Sequence, residues 1–163
     1  MTDTMTDQLK LYESFGTVKP EWLDHNGHMN VAYYVLAFDF ITDAVYDQWG
    51  LGDDYQEQGY SVFTLGMNVD YLQELYENDP LRITTQLLAW DHKRVHYFHH
   101  MYHAKKGFLA ATNECLGINV NLESRRSEPF PEPIQAILAE IYEAHQHLPL
   151  PAGAGRQLGI RQK

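Results

Sequence analysis

Asp24-His25-Asn26-Gly27-His28-Met29-Asn30-Val31-Ala32-Tyr33-Tyr34 is the stretch on which the fold turns. Its first half is polar, with a carboxylate, two histidines and two asparagines around a glycine. Its second half opens an apolar run that continues through Phe40 and Ile41. Asn30 is a favoured N-cap type, so the pattern predicts a helix from there to about Gly50. Val31, Ala32, Val35, Leu36, Phe38, Ile41, Ala44 and Val45 leave few polar positions before Asp43 and Asp47. A helix this apolar is predicted to be buried rather than laid on a surface. The polar cluster then stands at the N-terminus of a buried helix. There, free backbone N–H groups and the positive end of the helix dipole stabilise developing negative charge. That layout suits a site that attacks a carbonyl.

Outward from this stretch, residues 9–18 read as a first strand, ended by Lys19-Pro20. Residues 50–59 form an acidic, glycine-punctuated loop. The period then changes to two. Strands are predicted over 60–72, 81–90, 95–104 and 108–122, with Asn78-Asp79-Pro80 and Lys105-Lys106-Gly107 as turns. Connections this short favour antiparallel neighbours. Ile134, Ile137, Leu138, Ile141 and Tyr142 have helical spacing over 134–145. Residues 1–148 read as one domain and 149–163 as a mobile Pro/Gly-rich tail. The fold class is α+β: a long central helix wrapped by a curved antiparallel sheet of about five strands, plus a short C-terminal helix. One sheet cannot cover the helix on every side. Pairing two sheets edge to edge would also hide a strand edge, so a homodimer is expected, with larger homo-oligomers left open.

The 163 residues carry a formal net charge of −10 and no basic tract, which disfavours nucleic acid as a partner. The single cysteine, Cys115, excludes an intrachain disulfide and favours a reducing compartment. No signal peptide or membrane-spanning run is apparent, so a cytoplasmic protein without a membrane partner is expected.

The run Pro20-Glu21-Trp22-Leu23-Asp24-His25-Asn26-Gly27-His28-Met29-Asn30 resembles the hotdog-fold acyl-CoA thioesterases of the 4-hydroxybenzoyl-CoA thioesterase-like branch. Asp91-His92-Lys93-Arg94-Val95-His96 and Arg125-Arg126-Ser127-Glu128-Pro129-Phe130-Pro131 strengthen the likeness, which covers roughly residues 12–134. The set looks closest to the small thioesterases of carnitine and betaine catabolism that release glycine betaine from betainyl-CoA. The resemblance implies a catalytic carboxylate at Asp24, a glycine at Gly27 and an oxyanion-binding N–H at Val31. The chemistry of the residues agrees. An aspartate is ionised at neutral pH. It can attack the thioester directly or deprotonate a water that does. A lost oxyanion donor typically costs about 2.7–4 kcal/mol of transition-state stabilisation.

Asn26 and His28 are candidates for holding a water or orienting the carboxylate, and also for simply bracing the loop. Asn30 is a candidate of the same group and equally a plain cap. Lys93, Arg94, Arg125 and Arg126 could meet the phosphates of CoA. Tyr33, Tyr34, Trp49, Tyr60 and Phe63 are candidates for an aromatic box around a trimethylammonium acyl group, and equally for core. No cofactor is expected, since CoA belongs to the substrate.

Nine histidines invite a metal site. On a strand, however, residues four apart lie roughly 13 Å from one another, too far for His96 and His100, or His99 and His103, to share an ion. No metal is therefore expected. Cys115 reads as a buried small residue, and the chain has no Gly-x-Ser-x-Gly elbow. Two alternatives stay open. One is enoyl-CoA hydration, although Asp-x-Asn-x-His is one residue shorter than the hydratase spacing. The other is a non-catalytic acyl-CoA-binding module.

Overall fold

The computed structural model of the chain describes residues 11–162. Strand β1 (Tyr12–Thr17) leads through a 3-10 turn at Pro20–Trp22 to helix α1 (Val31–Gln48). Asn30 caps α1 as its sequence suggests, its side chain accepting from the Ala32 N–H at 3.0 Å. A short helix α2 (Asp53–Glu57) follows, where an irregular loop was expected. Asp53 and Asp54 in its first turn complement the helix dipole, and Tyr55 is buried beneath it. Acid and glycine content hides so short a helix from a periodicity reading.

Strands β2 (Tyr60–Tyr71), β3 (Pro80–Trp90), β4 (Arg94–His103) and β5 (Leu109–Asn121) then form the sheet. A two-residue β6 (Arg126–Ser127) pairs with β5, and helix α3 (Glu132–His145) follows. Every pairing is antiparallel, in the order β1-β3-β4-β5-β2. The first strand is confirmed from Tyr12; the predicted positions 9 and 10 lie outside the described residues.

The pleat sorts residues between two faces. Tyr97, His99 and Met101 of β4 share the inner face with Leu87, Thr85 and Ile83 of β3 and with Cys115 and Asn113 of β5. Helix α1 lies against this face: Phe38, wholly buried, stacks on His99 with ring centroids 5.6 Å apart. His99 is itself wholly buried and bridges Thr42 Oγ1 at 2.9 Å and Thr85 Oγ1 at 2.7 Å, so the core's polar group is satisfied. Gly117 leaves no room for a side chain between helix and sheet: a Cβ there would stand 2.7 Å from Val62 Cγ1 and 3.0 Å from Tyr46 Oη. The core divides along α1. Tyr34, Phe38, Leu75 and Met101 fill the end near its N-terminus, and Val45, Trp49, Tyr97 and Leu138 fill the other.

Burial of α1 is one-sided, not all-round. Asp39, Asp43 and Asp47 run along one exposed flank, and Val31 and Phe40 stay more than half exposed. Strands β1 and β2 are the two edges of the sheet, and the middle of β2 is exposed from Phe63 to Asn68.

The segment after α3 is not a free tail. Its Gly155 N–H donates to both Glu114 carboxylate oxygens at 2.8 and 2.9 Å, and Arg156 pairs with Asp70 at 2.5 Å. These bonds join residues 41 and 86 positions apart, which no local pattern reveals.

Candidate active site

The polar run folds into a tight loop. Leu23 and Met29 form a bridge, and the Asp24 N–H donates to the His28 carbonyl at 2.9 Å. Gly27 turns the chain with φ 85°, a conformation that glycine adopts without strain, and its N–H returns to the Asp24 carbonyl. The Asp24 carboxylate accepts the Asn26 N–H through Oδ1 at 2.8 Å. The Met29 N–H donates to the Leu75 carbonyl and the Asn30 N–H to the Trp22 carbonyl, so the loop is pinned to the chain on both sides.

The first turn of α1 opens onto this loop. Asn30 Oδ1 takes the Ala32 N–H, and the Asn30 carbonyl takes the Tyr33 N–H. Neither bond uses the N–H of Val31, which stands at the first helical position. Tyr71, the last residue of β2, donates its hydroxyl to the Val31 carbonyl.

His28 faces a second carboxylate. Its Nε2 lies 3.6 Å from Glu74 Oε1, and Tyr76 donates its hydroxyl to Glu74 Oε2 at 2.9 Å. Glu74, Tyr76 and Tyr71 thus border the site without any local motif. They lie at or just after the end of β2 and reach the loop only because that strand ends beside α1.

The aromatic candidates do not converge within one chain. Tyr33 stacks on Trp22, and buried Tyr34 meets Tyr71 edge-on at 5.2 Å. Burial, partly opposed by a bond to the Leu75 backbone, pushes the Tyr34 hydroxyl up to about 12. Trp49 packs on Tyr97 and Tyr60 stacks on Tyr55, both in the distant half of the core. Tyr33 and Trp49 are sixteen positions apart on α1, about 24 Å along its axis. Phe63 pairs with Ile118, which pairs with Arg94, placing all three on the outer face of the sheet.

The basic candidates do cluster. The Lys93 carbonyl accepts the Asn119 N–H, and Lys93 Nζ lies 3.4 Å from Ser127 Oγ, beside Arg126. The Arg125 guanidinium sits 5.4 Å over the Phe63 ring. Arg94 is committed to Asp91, which its guanidinium meets at 2.6 and 2.7 Å. Burial alone would raise the Asp91 carboxyl. The Arg94 bond and the Lys93 and Arg94 N–H groups outweigh it and bring the carboxyl down to about 2.

This basic cluster stands at the wrong end of its own chain for Asp24. Ala111 pairs with Tyr71 near the site, and Asn121 pairs with Arg126, so about 33 Å of β5 separates the two. At the basic end, a cavity of about 460 Å³ opens between α1, α2 and the start of β2. Asp39, Asp43, Asp47 and Asp53 line it, with Thr42, Tyr46 and Ser61. The Asp43 carboxyl is raised, first by burial and then by repulsion from Asp39, Asp47 and Asp53. Among the described residues no group of histidine, cysteine, aspartate and glutamate could hold a metal, and no helix is long and apolar enough to cross a membrane.

Known proteins share this architecture. The model of the thioesterase-like superfamily matches residues 18–138. A betainyl-CoA thioesterase of Pseudomonas aeruginosa is 38% identical over 157 residues, covering 96% of this chain and 98% of the relative. An L-carnitine dehydrogenase/betainyl-CoA thioesterase of Rhizobium meliloti is 35% identical over 145 residues, 89% of this chain but 29% of that longer protein. A Staphylococcus aureus protein whose structure was solved in complex with CoA superposes with a TM-score of 0.87 at 31% identity, covering 93% of this chain and 96% of that one. By fold and by these relatives, the chain belongs to the thioesterase-like superfamily and is a hotdog-fold acyl-CoA thioesterase.

Proposed function

We propose that the protein hydrolyses betainyl-CoA as a homodimer joined through β2, with Asp24 as the reacting carboxylate and the Val31 N–H as oxyanion donor. The observation that carries this reading is the acid-lined cavity. Four carboxylates around a space of about 460 Å³ suit a small cationic acyl group and give nothing to an aryl or aliphatic one. The names of the two curated relatives point the same way.

Dimerisation supplies the missing proximity. Two β2 edges pairing antiparallel set the start of one strand against the end of the other. The cavity and the basic cluster of one chain then approach the Asp24 loop and α1 N-terminus of the second. Phe63, Leu65 and Met67, exposed on the free strand, and Phe40 on α1 become covered. In this arrangement the trimethylammonium group occupies the acidic cavity. Tyr46 of one chain and Tyr33 of the other offer aromatic surface. Lys93, Arg125 and Arg126 receive the CoA phosphates.

Chemically, two routes fit. In one, Asp24 takes a proton from water and the hydroxide adds to the thioester carbonyl carbon. In the other, an Asp24 oxygen adds first and forms a mixed anhydride that water then cleaves. In both, the negative oxygen of the tetrahedral intermediate lies at the Val31 N–H, and collapse breaks the C–S bond. The CoA thiolate leaves and takes up the proton, and glycine betaine is the other product. His28, Asn26 and Asn30 shape the loop that holds Asp24. The reaction needs no cofactor, and the reading is of a cytoplasmic enzyme.

The test compares betainyl-CoA with 3,3-dimethylbutyryl-CoA, its uncharged isostere, in a thiol-release assay. At least a tenfold higher kcat/KM for the cation is expected. Equal rates would overturn the substrate assignment. Asp24→Asn keeps the turn to Asn26 and should lose at least a hundredfold in kcat. Near-full turnover in that variant would overturn the catalytic one.

A further inference from the structure

Asn119 is wholly buried on β5, opposite Val62 of the cavity wall. Its side chain and backbone bind different parts of the chain. Nδ2 donates to the Glu128 carbonyl at 3.0 Å and to the Pro129 carbonyl at 3.3 Å. Two carbonyls can accept only from the amide NH2, so Oδ1 faces Tyr55, whose hydroxyl donates to it. The backbone N–H donates to the Lys93 carbonyl at 2.8 Å, and the backbone carbonyl accepts the Glu128 N–H at 3.2 Å. Asn119 thus joins α2, the β3–β4 turn and the loop after β6. Asn121, on the same strand, shapes the turn that leads into that loop. Its carbonyl accepts the Arg125 N–H, and its Oδ1 accepts the Glu123 and Ser124 N–H groups.

These segments carry the two ends of the proposed substrate site. Tyr55 belongs to α2, whose Asp53 and Gln56 line the acidic cavity. Lys93, Arg125 and Arg126 form the basic cluster. A cation in the cavity and phosphates on the cluster belong to one molecule of limited length, so the spacing of the two seats matters as much as their charge. Two subsites filled by one ligand act together only when the span between them matches that ligand. We propose that Asn119 is a positioning residue that sets this span, holding α2 and the basic cluster at one separation through its bonds to Tyr55, Glu128 and Pro129. The inference rests on the proposed seats of the trimethylammonium group and the CoA phosphates. Asn119 acts through the segments it joins and touches neither group.

Tyr55→Phe tests it, since this change keeps the ring stacked on Tyr60 and removes only the bond to Asn119. Asn119→Asp is the complement: it keeps the acceptor for Tyr55 and loses both donations to the loop. In each variant the inhibition constants of free CoA and of free glycine betaine, which fill one seat apiece, should stay within twofold of the native chain. The kcat/KM for betainyl-CoA, which must fill both, should fall at least fivefold. General loosening would weaken all three ligands alike; that result, or an unchanged kcat/KM, overturns the positioning role. If Asn119→Asp fails to fold, Tyr55→Phe decides alone. In the native chain, an absence of inhibition by glycine betaine together with equal rates for betainyl-CoA and its uncharged isostere overturns the substrate reading and the span with it.

Discussion

The Tyr71 hydroxyl donates to the Val31 carbonyl at 3.1 Å, fastening the last residue of β2 to the first residue of α1. This edge strand thereby also sets the height of the helix start. Tyr71→Phe keeps the ring against Tyr34 and removes only this bond. A hydrogen bond is worth about 1 kcal/mol net, so kcat should fall by about fivefold. KM should stay within twofold, since the hydroxyl touches no substrate group. Steady-state thiol release measures both.

Asp43→Asn should raise thermal stability and lower activity on the cation. In the folded chain burial, then Asp39, Asp47 and Asp53, raise the Asp43 carboxyl. A carboxyl raised by folding adds stability at acidic pH and loses it as pH rises through its folded value. An uncharged amide escapes that loss, so the gain in Tm over the native chain should grow as pH rises from the ordinary carboxylate range. The same variant should lower kcat/KM for betainyl-CoA by severalfold and leave 3,3-dimethylbutyryl-CoA unaffected. Melting curves at two pH values and the two substrates decide it.

His99 should govern acid sensitivity of the core. Burial, aided by neighbouring His100, lowers its ring to about 3, so it stays neutral when folded. An unfolded histidine titrates near pH 6.5. Its stabilising contribution is therefore complete above that value and is lost as pH falls from 6.5 towards 3, at about 1.4 kcal/mol per pH unit. His99→Gln cannot take the proton. Urea unfolding at pH 7, 6 and 5 should show a shallower decline in the variant, from a lower starting stability. Parallel declines would show that another group carries the effect.

Arg94 and the Arg125–Arg126 pair should separate by phenotype. Arg94 closes the β3–β4 turn on Asp91, so Arg94→Ala should lower Tm more than it alters KM. Arg125→Ala/Arg126→Ala leaves that turn intact and should raise KM for acyl-CoA severalfold. The rise should shrink with added salt as the native contacts become screened. Kinetics at two salt concentrations, beside melting curves, distinguish the two.

Asn30, the apolar run behind it and the four alternating strands were legible because each is written in local spacing. The loop from Asp24 to Asn30 was legible too, since glycine at position 27 and the cap at position 30 are local requirements. Other features depend on chain positions far apart. Tyr71, Glu74 and Tyr76 join the site only because β2 runs antiparallel to α1 and ends beside it. His99 reads as one of several strand histidines until Thr42 and Thr85 are placed on either side of it. Trp49 and Tyr60 resemble Tyr33 and Tyr34 in composition, yet the length of α1 divides them. The cavity follows from Asp39, Asp43 and Asp47 sharing one helix flank. That spacing of four was visible, but not that α2 and β2 would wall it.

The segment after α3 bears on the order of assembly. Its bonds to Glu114 and Asp70 close spans of 41 and 86 residues and require β5 and β2 already side by side. It can therefore form only after the sheet, and it can open without unpairing a strand. Such a late, separable element defines its own cooperative unit of unfolding. Partial unfolding should start there, freeing the Glu114 and Asp70 carboxylates while helix and sheet stay joined.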